Sequence, residues 1–257
     1  MEVHAHTHPA SGGTRKKWTH YLWEFLMLFL AVFCGFLAEN QREHYIEHQR
    51  EKQYMRSLLE DLQTDTATIN RVRNRALTQI VFLDSLIELG DHLPVKGDDI
   101  NKLYFLQGKT TRFLNIRFED GTSSQLKNAG GMRLIRKEEV AKAIREYWDH
   151  IETLYRVRDR LELAGETIAD VSSRIFYTSY FILSEDPLDP VRGIKPGAKF
   201  IYDDQRLIAE YINRIATKAL RTRIYLAELE EGLKSANKLV HIIKEEYHLS
   251  ERTPLEK

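Results

Sequence analysis

Apolar residues recur at steps of three and four along most of the chain, the spacing that places them on one face of an α-helix. Three such repeats predict long helices at about 55–87, 137–183 and 204–248, the first also compatible with a coiled coil. Asp65 and Gln79 fall within the first apolar face, which favours packing inside a bundle over a strict zipper. Loops that reverse the chain allow the three faces to be buried together. We therefore predict an all-α fold, built as a long-helix antiparallel bundle.

Two segments between the predicted helices lack this repeat. Residues 91–136 predict an irregular connector with short helices, the first capped by an aspartate at 98–99. Within the connector, residues 111–118 alternate weakly between apolar and polar, which allows a short strand. Residues 184–202 are rich in proline and glycine and predict a loop. An aspartate at 203–204 is the expected N-cap of the third long helix.

A membrane span precedes these helices. Residues 21–38 form a continuous apolar run in which Glu24 is the single charge. A helix of this length extends roughly 27 Å, close to the hydrocarbon thickness of a bilayer. Trp18, Tyr21 and Trp23 lie at its N-terminal edge, where aromatic rings favour the membrane interface. A cleaved signal peptide has a shorter apolar region that ends in small residues, so the run predicts an uncleaved transmembrane helix.

The flanking charges orient this helix. Three basic residues at 15–17 directly precede it, whereas residues 39–53 carry four acids and three bases. The positive-inside rule places the N-terminus in the cytoplasm and the bulk of the chain in the periplasm of a Gram-negative cell. We therefore predict a single-pass protein of the bacterial inner membrane. Its parts are a disordered cytoplasmic tail (1–20), the transmembrane helix (21–38), a helical stalk (39–54), a periplasmic bundle (55–248) and a tail (249–257).

One face of the predicted span carries residues suited to helix packing. Small residues at four-residue spacing let two membrane helices approach closely. Glu24 has two interpretations: it snorkels to the nearby headgroups, or it faces a partner helix as a hydrogen-bonding or proton-relay group. The predicted packing face consists of Glu24, Leu28, Ala31, Gly35 and Ala38.

Composition argues against several classes of function. The 38 basic residues balance 38 acidic ones, so the chain lacks the net positive charge of a general nucleic-acid binder. Its one cysteine, Cys34, is insufficient for an internal disulfide or a cysteine-based zinc site. The sequence contains no phosphate-binding loop, dinucleotide-binding fingerprint or nucleophile elbow. We predict no cofactor, no nucleic-acid partner and no enzymatic activity.

Two histidine patterns are compatible with metal binding. His44 and His48, with Glu47 between them, match the inverted zinc-protease motif, and histidines four residues apart share a helical face. The motif lies on the predicted stalk, a context that favours a solvated charged face; a membrane-tethered zinc hydrolase is the alternative. The alternate histidines at 4–8 favour a solvated tail over a metal site.

Two stretches, 24–65 and 123–148, resemble a domain-of-unknown-function family of bacterial single-span membrane proteins. In that family, an early Glu and a central Gly in the span and an Asn-containing exit precede one long helix. A Leu-Lys-x-x-Gly segment then begins another, and many relatives carry Gly where this chain has Trp23. The resemblance implies an inner-membrane location and an all-helical exterior, and it implies no activity. The matching residues are Glu24, Gly35, Asn40, Leu126, Gly130, Leu134 and Ile135.

These observations predict a membrane-anchored, non-enzymatic scaffold, sensor or accessory subunit. Its expected partners are the lipid bilayer and either a second copy of the chain or another membrane protein. The alternative function is a subunit of an ion-driven or force-transmitting membrane complex. In that alternative, Glu24 is the protonatable group and the stalk carries motion outward.

Overall fold

The computed structural model describes residues 18–92, 94–111, 114–128, 130–186, 189–202 and 204–249. The predictions for the first 17 residues, including the alternate histidines, and for the C-terminal tail from 250 onward lie outside the described residues. The chain divides into two compact units, residues 1–50 and residues 51–257. The second unit contains the helical bundle.

The all-α prediction is confirmed, and three long helices dominate the described residues. The helices are α1 (Trp18–Gly90), α2 (Asp98–Thr110), α3 (Gly121–Asn128), α4 (Glu138–Ile175) and α5 (Gln205–Tyr247). Short 3₁₀ helices occur at Gly131–Leu134 and Thr178–Tyr180. Strands β1 (Phe181–Leu183) and β2 (Val191–Ile194) form an antiparallel pair.

The helix ends follow local signals in the sequence. The first long helix ends at Gly90, close to the predicted end at about 87. The Asp204 carboxylate accepts a hydrogen bond from the backbone N–H of Arg206, at 2.9 Å, and so caps α5. The N-cap of α2 is Gly97, with φ of 59°, and the aspartates at 98–99 lie in the first turn instead. There their negative charge still stabilises the helix N-terminus.

The apolar run at 21–38 lies in the N-terminal part of α1. The most apolar window of this helix has a mean hydropathy of 2.0, and none of it is buried. Among the residues that the structure describes, α1 is the one helix long and apolar enough to cross a membrane. Exposing apolar surface to water costs about 25 cal/mol per Å², so this exposed apolar segment is a candidate membrane span.

Apolar side chains of α1, α4 and α5 form three successive layers in the second unit. From one layer to the next, the residue numbers of the members from α1 and α4 rise together, whereas those of the members from α5 fall. Helices α1 and α4 therefore run in the same direction, and α5 is antiparallel to both. Representative members of the layers are Met55, Ile144 and Ile243; Ile69, Leu154 and Leu229; and Leu83, Ile175 and Ile208.

A row of buried polar side chains on α1 holds the connector that follows it. Glu51, Asp65 and Gln79 are two heptads apart and so lie along one face of α1. At most 2% of each is exposed, which confirms that Asp65 and Gln79 pack inside a bundle. Their bonds are Arg136 N–H to Glu51 Oε1 (2.8 Å), Glu119 N–H to Asp65 Oδ1 (2.9 Å) and Gln79 Nε2 to Thr110 O (3.2 Å).

These bonds explain why α4 is parallel to α1. Connector residues of increasing number bind α1 residues of decreasing number, so the connector runs back along α1. It thereby returns the chain to the level of Met55 before α4 begins at Glu138. The bonds also satisfy backbone groups that would otherwise be buried without a partner, at a cost of about 1–3 kcal/mol each.

The predicted second long helix, 137–183, is wrong at its C-terminal end, because α4 stops at Ile175. An aromatic cluster around Tyr104 draws the following residues off the helix axis. The ring of Phe176 lies 4.9 Å from that of Tyr104, between ring centroids. The Tyr104 hydroxyl donates to Lys199 O (2.8 Å) and accepts from Tyr177 N–H (2.9 Å). These tertiary bonds outweigh the continuing helical repeat.

Two further predictions about irregular segments need correction. The predicted loop at 184–202 contains β2, which pairs with β1 so that Phe181 lies opposite Ile194. The strand that 111–118 allowed is not formed by residues 114–118, which are irregular. The alternation there is nonetheless real, because Leu114, Ile116 and Phe118 are buried in the middle layer. Within the described ranges, their backbone has no neighbouring strand with which to pair.

The substitution Gly108→Ala tests how closely β2 approaches α2. A Cβ at Gly108 would lie 2.7 Å from Cγ1 and 2.8 Å from Cβ of Val191, a stiff β-branched side chain. We expect Gly108→Ala to lower the free energy of unfolding by about 1–3 kcal/mol, because overpacking exceeds the roughly 1 kcal/mol that Ala gains over Gly in a helix. Urea unfolding of the full chain in mild detergent, followed by circular dichroism, measures the change.

Gly165→Ala in α4 is the matched control, since a Cβ there has nothing within 4 Å. It is expected to raise the free energy of unfolding by up to about 1 kcal/mol through helix propensity alone. Equal stabilisation by both substitutions would contradict the close approach of β2 to α2.

Candidate functional site

A cavity of about 630 Å³ lies within the second unit and is lined by α1, α2, α4 and α5. Its volume falls in the range of roughly 300–1,000 Å³ that is typical of small-molecule sites. Buried polar side chains reach it from three helices: Gln79 from α1, Gln107 from α2 and Lys218 from α5. Buried polar groups and open volume therefore coincide at this position in the bundle.

The cavity owes much of its apolar lining to one face of α4. Leu161, Gly165 and Ile168 follow at helical steps of four and three, so they share this face. Leu114, from the irregular part of the connector, adds a further buried apolar side chain. Gly165 leaves open volume at the middle of this α4 face, since nothing lies within 4 Å of the position a Cβ would occupy. An apolar molecule would be desolvated against this wall.

Lys218 is the charged group buried in this cavity, with 7% of the residue exposed. Its Nζ donates a hydrogen bond to the main-chain oxygen of Thr110, the last residue of α2, where the helix dipole favours positive charge. Among the described residues, no carboxylate lies within 4 Å of Nζ. Burial lowers the pKa of Lys218 to about 8, so the amine is mostly protonated at neutral pH.

Hydrogen bonds hold the surrounding polar groups in place. The main-chain oxygen of Thr110 accepts from both Lys218 Nζ and Gln79 Nε2. The hydroxyl of Tyr211 donates to Gln107 Oε1, and Thr110 Oγ1 donates to the main-chain oxygen of Gln107 at 3.0 Å. Burial raises the pKa of Tyr211, which keeps its hydroxyl protonated as a donor. The C-terminal turn of α2 is thereby fixed against α1 and α5.

Charged side chains occupy the more exposed part of the cavity lining. Arg158 Nη2 lies 2.6 Å from Asp159 Oδ1, and its Nε lies 3.9 Å from Glu162 Oε1. Glu162 is half-buried and Glu166 is exposed. The two acids are thus closer to solvent than Lys218, so the buried end of the cavity is positive and its rim carries both signs.

The predicted packing face of the span lies on α1 in the first unit, and every one of its residues is exposed. Nothing lies within 4 Å of a Cβ built at Gly35, so this position is sterically open to a partner helix. One carboxylate oxygen of Glu24 lies 3.2 Å from His20 Nε2, one turn closer to the N-terminus. This contact directs the carboxylate towards the N-terminal end of the segment, and both interpretations of Glu24 stay predictions. The packing face, Glu24, Leu28, Ala31, Gly35 and Ala38, stays a prediction.

The zinc alternative receives no geometric support. His44 Nδ1 lies 3.9 Å from Glu47 Oε2 on the same helix. Across the described part of the chain, no group of three or more His, Cys, Asp or Glu side chains is placed to hold a metal ion. A catalytic zinc site needs three protein ligands.

The sequence interpretation missed Lys218 as a candidate site residue. One signal was available: Lys218 follows Ile215 by three residues and precedes Thr222 by four, so it occupies the apolar face of α5. A lysine in that position is either buried or extends its amine past the core edge. Only the positions of α2 and α4 decide between these outcomes.

Comparisons with known proteins leave the family of the chain open. No family model matches it, and neither a curated protein nor a solved structure does so. The resemblance to single-span membrane proteins therefore stays a prediction, and function has to be argued from the cavity and the apolar segment.

The substitution Lys218→Met tests the electrostatic state of the cavity. Because burial lowers the pKa of Lys218 from 10.5 to about 8, the folded chain binds fewer protons than the unfolded chain between these values. The free energy of unfolding of the native sequence should therefore rise with pH from about 8 to about 9, below the range in which tyrosines of the unfolded chain ionise. Lys218→Met removes that rise and should stabilise the protein at pH 7 by about 1–3 kcal/mol.

Denaturant unfolding of the full chain in mild detergent, repeated from pH 7 to about pH 9, measures both effects. Lys234→Met, at an exposed lysine of the same helix, should keep the pH dependence of the native sequence. A Lys218→Met variant that is less stable at pH 7 and retains the rise with pH would contradict the assignment of an unneutralised buried amine.

Proposed function

We propose that this chain is a membrane-anchored, non-enzymatic sensor or accessory subunit whose periplasmic bundle takes up a small ligand in the cavity. The observation that carries the proposal is the cavity itself, which combines apolar walls with a buried ammonium group. Such combinations of a mostly apolar concave surface and a few fixed polar groups are typical of ligand sites.

Anchoring in the bacterial inner membrane is supported by the apolar segment of α1. That segment is fully exposed in the described structure and is long enough to cross the hydrocarbon core. The basic residues at 15–17 support a cytoplasmic N-terminus by the positive-inside rule. The bundle would then lie in the periplasm.

A sensing role is supported by α1, because this helix contributes to the cavity and also contains the apolar segment. Gln79, which lines the cavity, belongs to α1, the helix that also contains the apolar segment. A ligand that changes the packing of α1 against α2 and α5 therefore acts on the same element that enters the membrane. The ion-driven alternative rests on Glu24 and ranks second, since the contact with His20 favours a position of that carboxylate near the headgroups.

A topology measurement tests the anchored arrangement. Alkaline phosphatase fused after Lys257 should be active in a Gram-negative host, and green fluorescent protein fused at the same place should be dark, because the C-terminus is expected to be periplasmic. In the matched control, replacement of the three basic residues at 15–17 by Glu removes the orienting charge and should reduce phosphatase activity at least severalfold. A fluorescent, phosphatase-negative fusion of the native sequence would overturn the proposed orientation.

The substitution Gly35→Ile tests the proposed packing face of the span. Because close approach of membrane helices depends on small residues, Gly35→Ile should weaken self-association in a membrane two-hybrid assay severalfold. Val32→Ile, at an exposed position in the same segment but outside the predicted face, is the control and should leave the signal unchanged. An equal signal from all three sequences would eliminate this face as a self-association surface.

A further inference from the structure

Two buried lysines beside the C-terminus of α2 differ in how their charge is compensated. Lys109, 8% exposed, donates from Nζ to both carboxylate oxygens of Asp189, at 2.9 and 2.8 Å, and to Val191 O at 2.8 Å. Lys218 is equally buried, at 7% exposed, and its amine contacts a neutral carbonyl oxygen. A buried ammonium without a counter-ion is energetically unfavourable. The site of Lys218 is therefore electrostatically incomplete, while that of Lys109 is complete.

The hydrogen-bond capacity of the Lys218 amine points to the same deficit. A protonated lysine has three N–H donors, and one of them is directed to the main-chain oxygen of Thr110. That oxygen also accepts from Gln79 Nε2, so both of its lone pairs are already used. A molecule that brings a negatively charged acceptor to this end of the cavity would supply what the protein side chains do not.

The remaining lining restricts the chemistry of such a molecule. Leu114, Leu161 and Ile168 are buried apolar side chains around the open volume. Glu162 and Glu166 line the cavity where it is more exposed, and they would repel a molecule that carries several negative charges. A molecule with one negative charge at the buried end and an apolar body along α4 would suit both the apolar wall and the two acids of the rim.

We propose that the cavity binds a small organic acid, whose carboxylate accepts hydrogen bonds from Lys218 Nζ and whose apolar body lies along the α4 wall. The inference rests on the proposed role of the cavity as the ligand site and adds the class of ligand. Charge-assisted hydrogen bonds to a carboxylate are about twice as strong as neutral ones, so the acid should be preferred over neutral analogues of the same shape.

Matched ligands test this preference. The full chain, reconstituted in lipid nanodiscs, is titrated calorimetrically with phenylbutyrate, octanoate and cyclohexanecarboxylate, each compared with its amide and its amine. Empty nanodiscs provide the baseline for partition into lipid. We expect at least one acid to bind at least tenfold more tightly than its amide, and the amine of the same body to bind most weakly.

Three variants locate the binding in the cavity. Lys218→Met should reduce the affinity for the acid at least tenfold and leave the affinity for the amide nearly unchanged. Lys234→Met is the control for general loss of charge on α5, and it should bind like the native sequence. Gly165→Leu adds a side chain at a position where nothing lies within 4 Å of the Cβ, and by occupying the open volume it should reduce binding of the acid and the amide alike. Circular dichroism verifies that each variant is folded.

The outcomes separate the inference from the proposed function. Preference for the acid that is lost in Lys218→Met supports both. Equal binding of acid and amide, unaffected by Lys218→Met and abolished by Gly165→Leu, would overturn the carboxylate inference and leave the cavity as the ligand site. No binding of any acid, amide or amine above the empty-nanodisc baseline would overturn both.

Discussion

The row of buried polar side chains on α1 is the constraint on which the arrangement of the bundle depends. Glu51, Asp65 and Gln79 each bind the backbone of the connector, in an order that forces it back along α1. Backbone polar groups buried without partners are costly, so a connector that packs against a helix needs such bonds. Because the connector returns the chain to the beginning of the bundle, α4 runs parallel to α1. Helix α5 then runs antiparallel to both and completes the core.

The cavity follows from the same arrangement. Helix α2 ends at Thr110, whose carbonyl oxygen is bound by Gln79 and Lys218 at the point where the connector becomes irregular. The contacts of Lys109 with Asp189 and Val191 hold the end of α2 against the beginning of β2. Beyond it, Gly165 of α4 leaves volume that a larger side chain would fill. A cavity with a buried ammonium is thus the consequence of ending a short helix inside a bundle of long ones.

The proposed function joins two features of one helix. In α1, the apolar segment is suited to a bilayer and the later part contributes Gln79 to the cavity. A ligand that neutralises Lys218 would change the electrostatic balance at the junction of α1, α2 and α5. The free energy available for signalling is then the difference in ligand affinity between two packings of these helices.

The sequence alone determined the features that depend on local periodicity and local caps. The apolar segment at 21–38, three long helices, an aspartate cap at 203–204 and the packing of Asp65 and Gln79 inside a bundle all followed from local sequence patterns. The end of α4 at Ile175, the β1–β2 pair and the role of Lys218 were not. Tyr104 lies more than seventy residues before Phe176 and Tyr177 in the chain, and Lys218 lies more than one hundred after Thr110. Contacts over such separations leave no periodic trace in the sequence, so only the tertiary structure decided where the helix breaks and which lysine is buried with no carboxylate of the described residues beside it.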